Sequence, residues 1–154
     1  MAPGRSDRHG YTVTAPVAAP AAVVWQVLAD VEAMPTWTAS MDAVRRLDGG
    51  PFGLGSRARV RQPGLPPATW VVDEWRPPEV FAWTSRAPGV RTTGRHEVRA
   101  RGERRSEVTL SVRQDGVLAG LMWRWTGATA RRYVDLEIAG LAAAAAGRAE
   151  QPDP

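Results

Sequence analysis

The 154-residue chain is 44% hydrophobic and 23% charged, which is typical of one folded domain of ordinary size. It has no cysteine and only two histidines, His9 and His96, which excludes disulfides, thiolate catalysis and cysteine- or histidine-rich metal sites. We therefore expect no metal and no cofactor. No apolar run reaches the roughly 18 residues that a membrane span needs. The first residues also lack the apolar core of a secretory signal, so we expect a cytoplasmic protein.

The net charge is +4, and all 20 basic residues are arginine. These arginines are scattered and often alternate with apolar residues along predicted strands, which favours solvated faces over a nucleic-acid surface. The absence of lysine, with heavy use of alanine, proline and glycine, indicates a GC-rich coding genome. This actinobacterial-like composition is compatible with a role in secondary metabolism.

Local patterns predict alternating elements along the chain. The region 10–149 is expected to form a single domain between a flexible N-terminal tail (1–9) and a C-terminal tail (150–154). Inside it we predict strands over 11–15, 41–47, 56–62, 69–75, 80–85, 91–100 and 106–113, helices over 21–29 and around 31–34, and one long helix from after residue 116 to about 148.

This order predicts an α+β fold in which a curved seven-stranded antiparallel sheet wraps around the long C-terminal helix. Two short helices lie between strands 1 and 2. A curved sheet with one apolar face needs a cover, and the long helix is the only element large enough. Its apolar stripes are expected to face the sheet; they are Leu118, Leu121, Met122 and Trp125, followed by Val134, Ile138, Leu141 and Ala145. A bend near Gly127 is compatible with the sequence.

Strand parity predicts which side chains face inward. Arginines occupy one face of the 56–62 strand, so Val60 and Gln62 are expected on the inner face, and the same argument places His96 there. A mostly apolar pocket with a few polar groups is what a small-molecule site requires. His96 is either a core histidine bonded to a backbone carbonyl or a ligand contact with an acid–base role. His96 and Gln62 are the candidate catalytic residues.

The other candidate ligand-binding residues are large apolar or aromatic side chains on the predicted inner face, together with positions on the long helix. Trp123 and Trp125 cannot share a helix face, and we expect Trp125 to point inward. The 69–75 strand is ambiguous, because Glu74 shares the parity of Trp70 and Val72. We expect Trp70 and Val72 on the inner face and Trp75 on the outer face. The glycine-rich loop 49–55 is expected at the cavity mouth. The full set is Val60, Trp70, Val72, Phe81, Trp83, Val98, Leu110, Leu121, Met122, Trp125, Thr129 and Tyr133.

In the order and spacing of particular residues across positions 10 to 148, the chain resembles the SRPBCC superfamily, also called START-like or helix-grip. Within it, the chain is most similar to the polyketide cyclase/dehydrase branch. The residues that carry this resemblance are Pro20, Val24, Trp25, Leu28, Asp30, Pro35, Trp37, Gly53, Gly55, Ser56, Arg57, Val72, Glu74, Pro78, Phe81, Trp83, His96, Val108, Thr109, Leu110, Tyr133, Gly140 and Leu141. The resemblance implies a helix-grip fold around an internal cavity.

Three functions remain open at this point. The chain could be a cofactor-independent polyketide cyclase or dehydrase that promotes cyclisation or dehydration of a polyketide-like substrate. It could instead be a non-catalytic carrier or sensor of a lipid or other hydrophobic ligand, or a partner-binding module. In the first two, the partner is a hydrophobic small molecule. A homodimer is possible, and we expect neither a nucleic-acid partner nor a membrane span.

Overall fold

A computed structural model describes residues 3–151 of the chain. Eight strands and two α-helices follow one another, with a short 3-10 helix between the first α-helix and the third strand. The elements are β1 (Arg5–Asp7), β2 (Gly10–Val17), α1 (Ala21–Ala29), the 3-10 helix (Val31–Thr36), β3 (Ala43–Arg46), β4 (Arg57–Arg61), β5 (Ala68–Arg76), β6 (Val80–Ala87), β7 (Val90–Ala100), β8 (Ser106–Asp115) and α2 (Ala119–Ala149).

All eight strands form one antiparallel sheet in the order β1-β2-β8-β7-β6-β5-β4-β3. The prediction of seven strands is therefore wrong by one. The additional strand, β1, lies within the segment that we expected to be a tail, and it pairs with β2 through a two-residue loop in which His9 has φ of 65°. All three β1 side chains are exposed, so β1 carries no apolar alternation that could reveal it from the sequence.

Strand parity is clearest in β4, where Arg57, Arg59 and Arg61 are exposed and Ala58 and Val60 are buried. The arginines therefore occupy the outer face, as predicted. Hydrophobic side chains from the inner face of the sheet pack against α1 and α2 to form the core.

Strand β5 breaks its own parity. A bulge falls between Val72 and Glu74, so that Val72 pairs with Trp83 and Trp75 pairs with Phe81. Both Val72 and Trp75 then face inward, and the expectation that Trp75 lies outside is wrong. One inserted residue reverses the facing of every residue after it, and simple alternation cannot foresee this.

Glu74 lies on the outer face, where Arg95 Nε is 3.0 Å from its Oε1 atom. Partial burial opposes ionisation of this carboxyl, but the hydrogen bonds and positive charges of Arg95 and Arg76 outweigh that effect. The pKa of Glu74 is therefore lowered from its ordinary value of 4.5. The ambiguous parity of the Glu74 strand is thus resolved in favour of a solvated ion pair.

Helix α2 crosses the inner face of the sheet, and its C-terminal half contacts Trp37, the residue that follows the 3-10 helix. At Gly140 the carbonyl oxygen of Trp37 comes so close that a Cβ atom would overlap it. Only glycine permits this approach of Trp37 to the long helix. No helix among residues 3–151 is long and apolar enough to cross a membrane.

Candidate functional site

A cavity of about 230 Å³ lies between the inner face of the sheet and the middle of α2. Eight of the predicted site residues line it: Val60, Gln62, Trp70, Trp83, His96, Leu110, Met122 and Tyr133. The volume is slightly below the roughly 300–1,000 Å³ of typical small-molecule sites, so the cavity suits a compact ligand.

Aromatic rings form one wall of this cavity. Trp70 and Trp83 come from neighbouring strands, and their ring centroids are 5.7 Å apart. Gly94 lies beside them, and a Cβ atom there would be 3.1 Å from Trp83 Nε1. The missing side chain at residue 94 therefore leaves the faces of these rings open to the cavity.

His96 is buried in this wall, and two contacts with Phe81 fix its ring. Its Nδ1 atom is 3.1 Å from the carbonyl oxygen of Phe81, its cross-strand neighbour, and its ring stacks on the Phe81 ring at 4.1 Å. A carbonyl oxygen only accepts hydrogen bonds, so this contact assigns the proton to Nδ1. In the neutral form of the ring, the lone pair is then on Nε2.

The free nitrogen of His96 faces a carboxylate on the long helix. Nε2 is 3.9 Å from Glu137 Oε1, and the Glu137 side chain is 13% exposed. This separation is too long for a direct hydrogen bond. A ligand hydroxyl placed between the two groups would be within reach of both.

Glu137 was not predicted from the sequence. It lies one helical turn after Tyr133, which was a candidate, so helical spacing from Tyr133 is the signal that could have found it. A charged residue at this position is typical of a solvent-exposed face until the facing of the helix is known.

Two other polar candidates, Gln62 and Tyr133, donate hydrogen bonds to backbone oxygens beside the cavity. Gln62 Nε2 donates to the backbone oxygen of Ser40 at 3.2 Å. The Tyr133 hydroxyl donates to the backbone oxygen of Pro63, which ties α2 to the loop between β4 and β5. That loop contributes Leu65 and Pro66 to the cavity lining.

The expected facing of the first half of α2 is wrong. Trp125 is 80% exposed, whereas Trp123 is buried and packs beneath Arg131. Leu121 is exposed and Thr129 does not line the cavity. Besides the predicted Met122 and Tyr133, the helix lines the cavity with Thr126, Ala130, Val134 and Glu137. Several of these are small or polar, so hydrophobic periodicity does not mark them.

Three further candidates lie in the core and outside the cavity lining. Val72, Phe81 and Val98 are buried, as their inward parity predicted, but they pack against neighbouring side chains and do not border the open space. Phe81 acts on the site indirectly, because its ring and carbonyl oxygen fix His96.

The glycine-rich loop 49–55 also lies elsewhere than expected. Its Phe52 packs edge-on against Trp75 at 5.5 Å and against Phe81 at 5.8 Å, and the loop contributes no residue to the cavity lining. The exposed residues that do line the cavity are Pro66, Ala87 and Met122. The mouth therefore lies between the β4–β5 loop, the β6–β7 turn and the start of α2.

A curved antiparallel sheet closed by one long helix around a largely apolar cavity defines a helix-grip container. The chain belongs to the polyketide cyclase / dehydrase and lipid transport family, which it matches over residues 8–150. No curated protein matches the chain.

Several solved structures share the fold. An aromatase/cyclase from Streptomyces sp. R1128 has a TM-score of 0.66 at 23% identity, covering 92% of this chain and 93% of that one. A protein from Thermus thermophilus has a TM-score of 0.72 at 16% identity, with 92% and 99% covered. A di-domain aromatase/cyclase from the steffimycin biosynthetic pathway has a TM-score of 0.68 at 19% identity, with 89% and 45% covered. At these identities the likeness shows the fold alone.

Proposed function

We propose that this protein binds a compact polyketide-like substrate in its cavity and promotes its cyclisation or dehydration. The observation that carries the proposal is the His96–Glu137 pair, whose two proton-accepting atoms face each other at 3.9 Å inside an aromatic cavity. Membership of a family that includes polyketide cyclases and dehydrases supports the same class of substrate.

The chemistry would use the pair as a proton carrier. In a dehydration, one member takes the proton from the carbon beside a ketone, and a proton from the pair goes to the departing hydroxyl. Water leaves and a carbon–carbon double bond forms, so the proton count closes. In an aldol cyclisation the same first step gives a carbon nucleophile, and the proton goes to the new alkoxide. Positioned acid–base groups typically contribute about 10²- to 10⁴-fold in rate.

Gln62 and the tryptophans would then bind and orient the substrate. A half-buried amide beside an apolar wall can polarise a ketone oxygen, and Trp70 with Trp83 offers flat surfaces for a forming ring. The entropy lost when a flexible chain adopts one folded shape is a large part of the barrier to ring closure. A cavity that holds the chain in that shape lowers this barrier.

Turnover of a synthetic β-hydroxy-ketone thioester, followed by mass spectrometry, tests this proposal. We expect His96→Ala and Glu137→Gln each to lower kcat by about 10²-fold or more. His9→Ala is the matched control, because the other histidine lies in the β1–β2 loop, and this variant should leave turnover unchanged. Circular dichroism checks that each variant is folded.

A non-catalytic carrier or sensor of a lipid or other hydrophobic ligand is the second candidate. It is favoured by the hydrogen bond from His96 to Phe81, which satisfies one ring nitrogen in the way that a structural histidine requires. Wild-type protein that binds the thioester but converts it no faster than buffer would support the carrier and contradict the enzyme.

A further inference from the structure

The start of α2 exposes a continuous group of large apolar side chains. Val117 is 92% exposed, Trp125 80% and Leu121 57%, with Leu118 and Met122 also exposed. Positions 118, 121, 122 and 125 share one helix face, so these side chains form a single surface, which we call the apolar ridge. A contiguous exposed apolar surface of this kind marks an interaction site.

Positive charge predominates around the ridge. From Gly116 to Val134 the sequence contains three arginines and no acidic residue, and this stretch is flanked by Asp115 and Asp135. Arg124 and Arg132 are exposed, and Arg132 lies two turns beyond Trp125 on the same helix face. Within residues 3–151, no acidic side chain lies within 4.0 Å of either guanidinium.

The neighbouring β6–β7 turn adds to this positive charge. Leu118 donates its backbone N–H to the carbonyl oxygen of Gly89, which holds the ridge against the turn. Arg86 and Arg91 lie directly opposite each other on the two strands that lead into it, and both are exposed. Asp115 lies opposite Arg91 on β8, and its carboxylate pairs with Arg113 at 3.2 Å. Like charges held opposite each other repel, so this end of the molecule attracts anions.

We propose that the apolar ridge docks on an anionic lipid bilayer. Aliphatic side chains with one tryptophan, flanked by arginines, are the composition of segments that lie in a membrane interface. Val117 and Trp125 project into solvent almost completely, which suits insertion into a deformable lipid surface. A second copy of this chain is disfavoured, because each copy would bring the same excess of arginine to the contact.

The ridge is also continuous with the cavity mouth. Met122 belongs to both, since it is exposed on the ridge and lines the cavity. Docking would therefore bring the mouth to the lipid surface, and an apolar molecule could pass between bilayer and cavity without crossing water. The docking surface does not depend on the acid–base chemistry proposed for His96 and Glu137.

Flotation with phosphatidylcholine vesicles, with and without phosphatidylglycerol, tests the proposal. We expect the wild-type chain to float with the anionic vesicles and to be released by high salt. The double variant Leu121→Ser/Trp125→Ser should lose binding by at least about tenfold. Arg124→Gln/Arg132→Gln should lose on the order of tenfold to thirtyfold. Leu54→Ser is the matched control, since Leu54 is 70% exposed in a different loop, and it should float like wild type.

Three results would overturn the proposal. The first is absence of wild-type binding to anionic vesicles. The second is equal loss of binding in the Leu54→Ser control. The third is a wild-type dimer in sedimentation equilibrium that the ridge variant converts to a monomer, since the ridge would then be an interface between copies. If the first result is accompanied by retention of the protein on polyglutamate, the ridge binds an acidic protein partner and not a bilayer. Thioester turnover is measured separately without lipid, so failure here leaves the cavity chemistry standing.

Discussion

The two halves of α2 differ in the relation between apolar sequence and burial. In the C-terminal half, the predicted stripe of Val134, Ile138, Leu141 and Ala145 is buried. In the N-terminal half, the predicted stripe of Leu118, Leu121, Met122 and Trp125 is exposed. The first half borders a cavity, so its inward side includes small or polar residues such as Thr126 and Ala130, whereas Leu121 and Trp125 are left to solvent. Hydrophobic periodicity finds the buried face of a helix only where that face packs against a filled core.

Trp123 and Trp125 lie on the buried and exposed faces of α2, and we expect their replacement to give the largest difference in stability. Trp123→Ala should destabilise the fold by about 3–5 kcal/mol, because a buried aromatic ring is lost. Trp125→Ala should change stability by no more than about 0.5 kcal/mol. Urea unfolding followed by far-ultraviolet circular dichroism measures both. Equal losses of stability would show that Trp125 is also packed.

Leucines in the two halves give a second comparison at constant chemistry. Leu141→Ala should cost about 2–5 kcal/mol, since Leu141 is fully buried. Leu121→Ala should lie within about 0.5 kcal/mol of wild type, because its side chain is 57% exposed. The same unfolding assay applies. A large loss for Leu121 would contradict the orientation of the N-terminal half.

Where the two halves of α2 meet, the helix is hydrogen-bonded to the titratable side chain of Tyr11. We expect this contact to have a smaller effect on stability than the buried residues above. The Tyr11 hydroxyl donates to Asp135 Oδ1 at 2.8 Å. Burial raises the pKa of Tyr11 above its ordinary value of 10.0, and the hydrogen bond and negative charge of Asp135 raise it further. Because the folded state favours the protonated phenol, the stabilisation is fully present below pH 10.0 and is lost as pH rises through the folded-state pKa.

Tyr11→Phe removes both the titration and the hydrogen bond. We expect a loss of about 1 kcal/mol at neutral pH and a weaker decline of stability above pH 10.0 than in wild type. Thermal unfolding across this alkaline range measures it. An unchanged alkaline profile would mean that another group governs the decline.

Much of the fold was predictable because its sheet alternates regularly. The outward arginines of β4 and the inward His96 follow from parity alone. Trp75 was assigned wrongly because the bulge after Val72 inserts a residue that leaves no mark in the local pattern. Strand β1 was missed because backbone pairing alone positions its three exposed residues.

The candidate site was less predictable than the fold. The inward direction of Gln62 and His96 could be read from their strands, but the partner of His96 could not. Glu137 follows from helical spacing only if Tyr133 is taken as an inward position, and the exposed apolar stripe at the start of α2 argues for a different facing. Residues that line an open space are not selected for hydrophobic packing, so composition identifies them poorly.

Gly94 influences the free space in the cavity independently of the polar groups of the site. The space beside Trp70 and Trp83 exists because one position on β7 lacks a side chain, and none of the polar groups of the site contributes to it. A lineage that exchanged this glycine for alanine or valine would change the largest ring it could accept while keeping His96 and Glu137 unaltered. Substrate range in such a container can therefore diversify by the gain or loss of single methyl groups, ahead of any change in reaction.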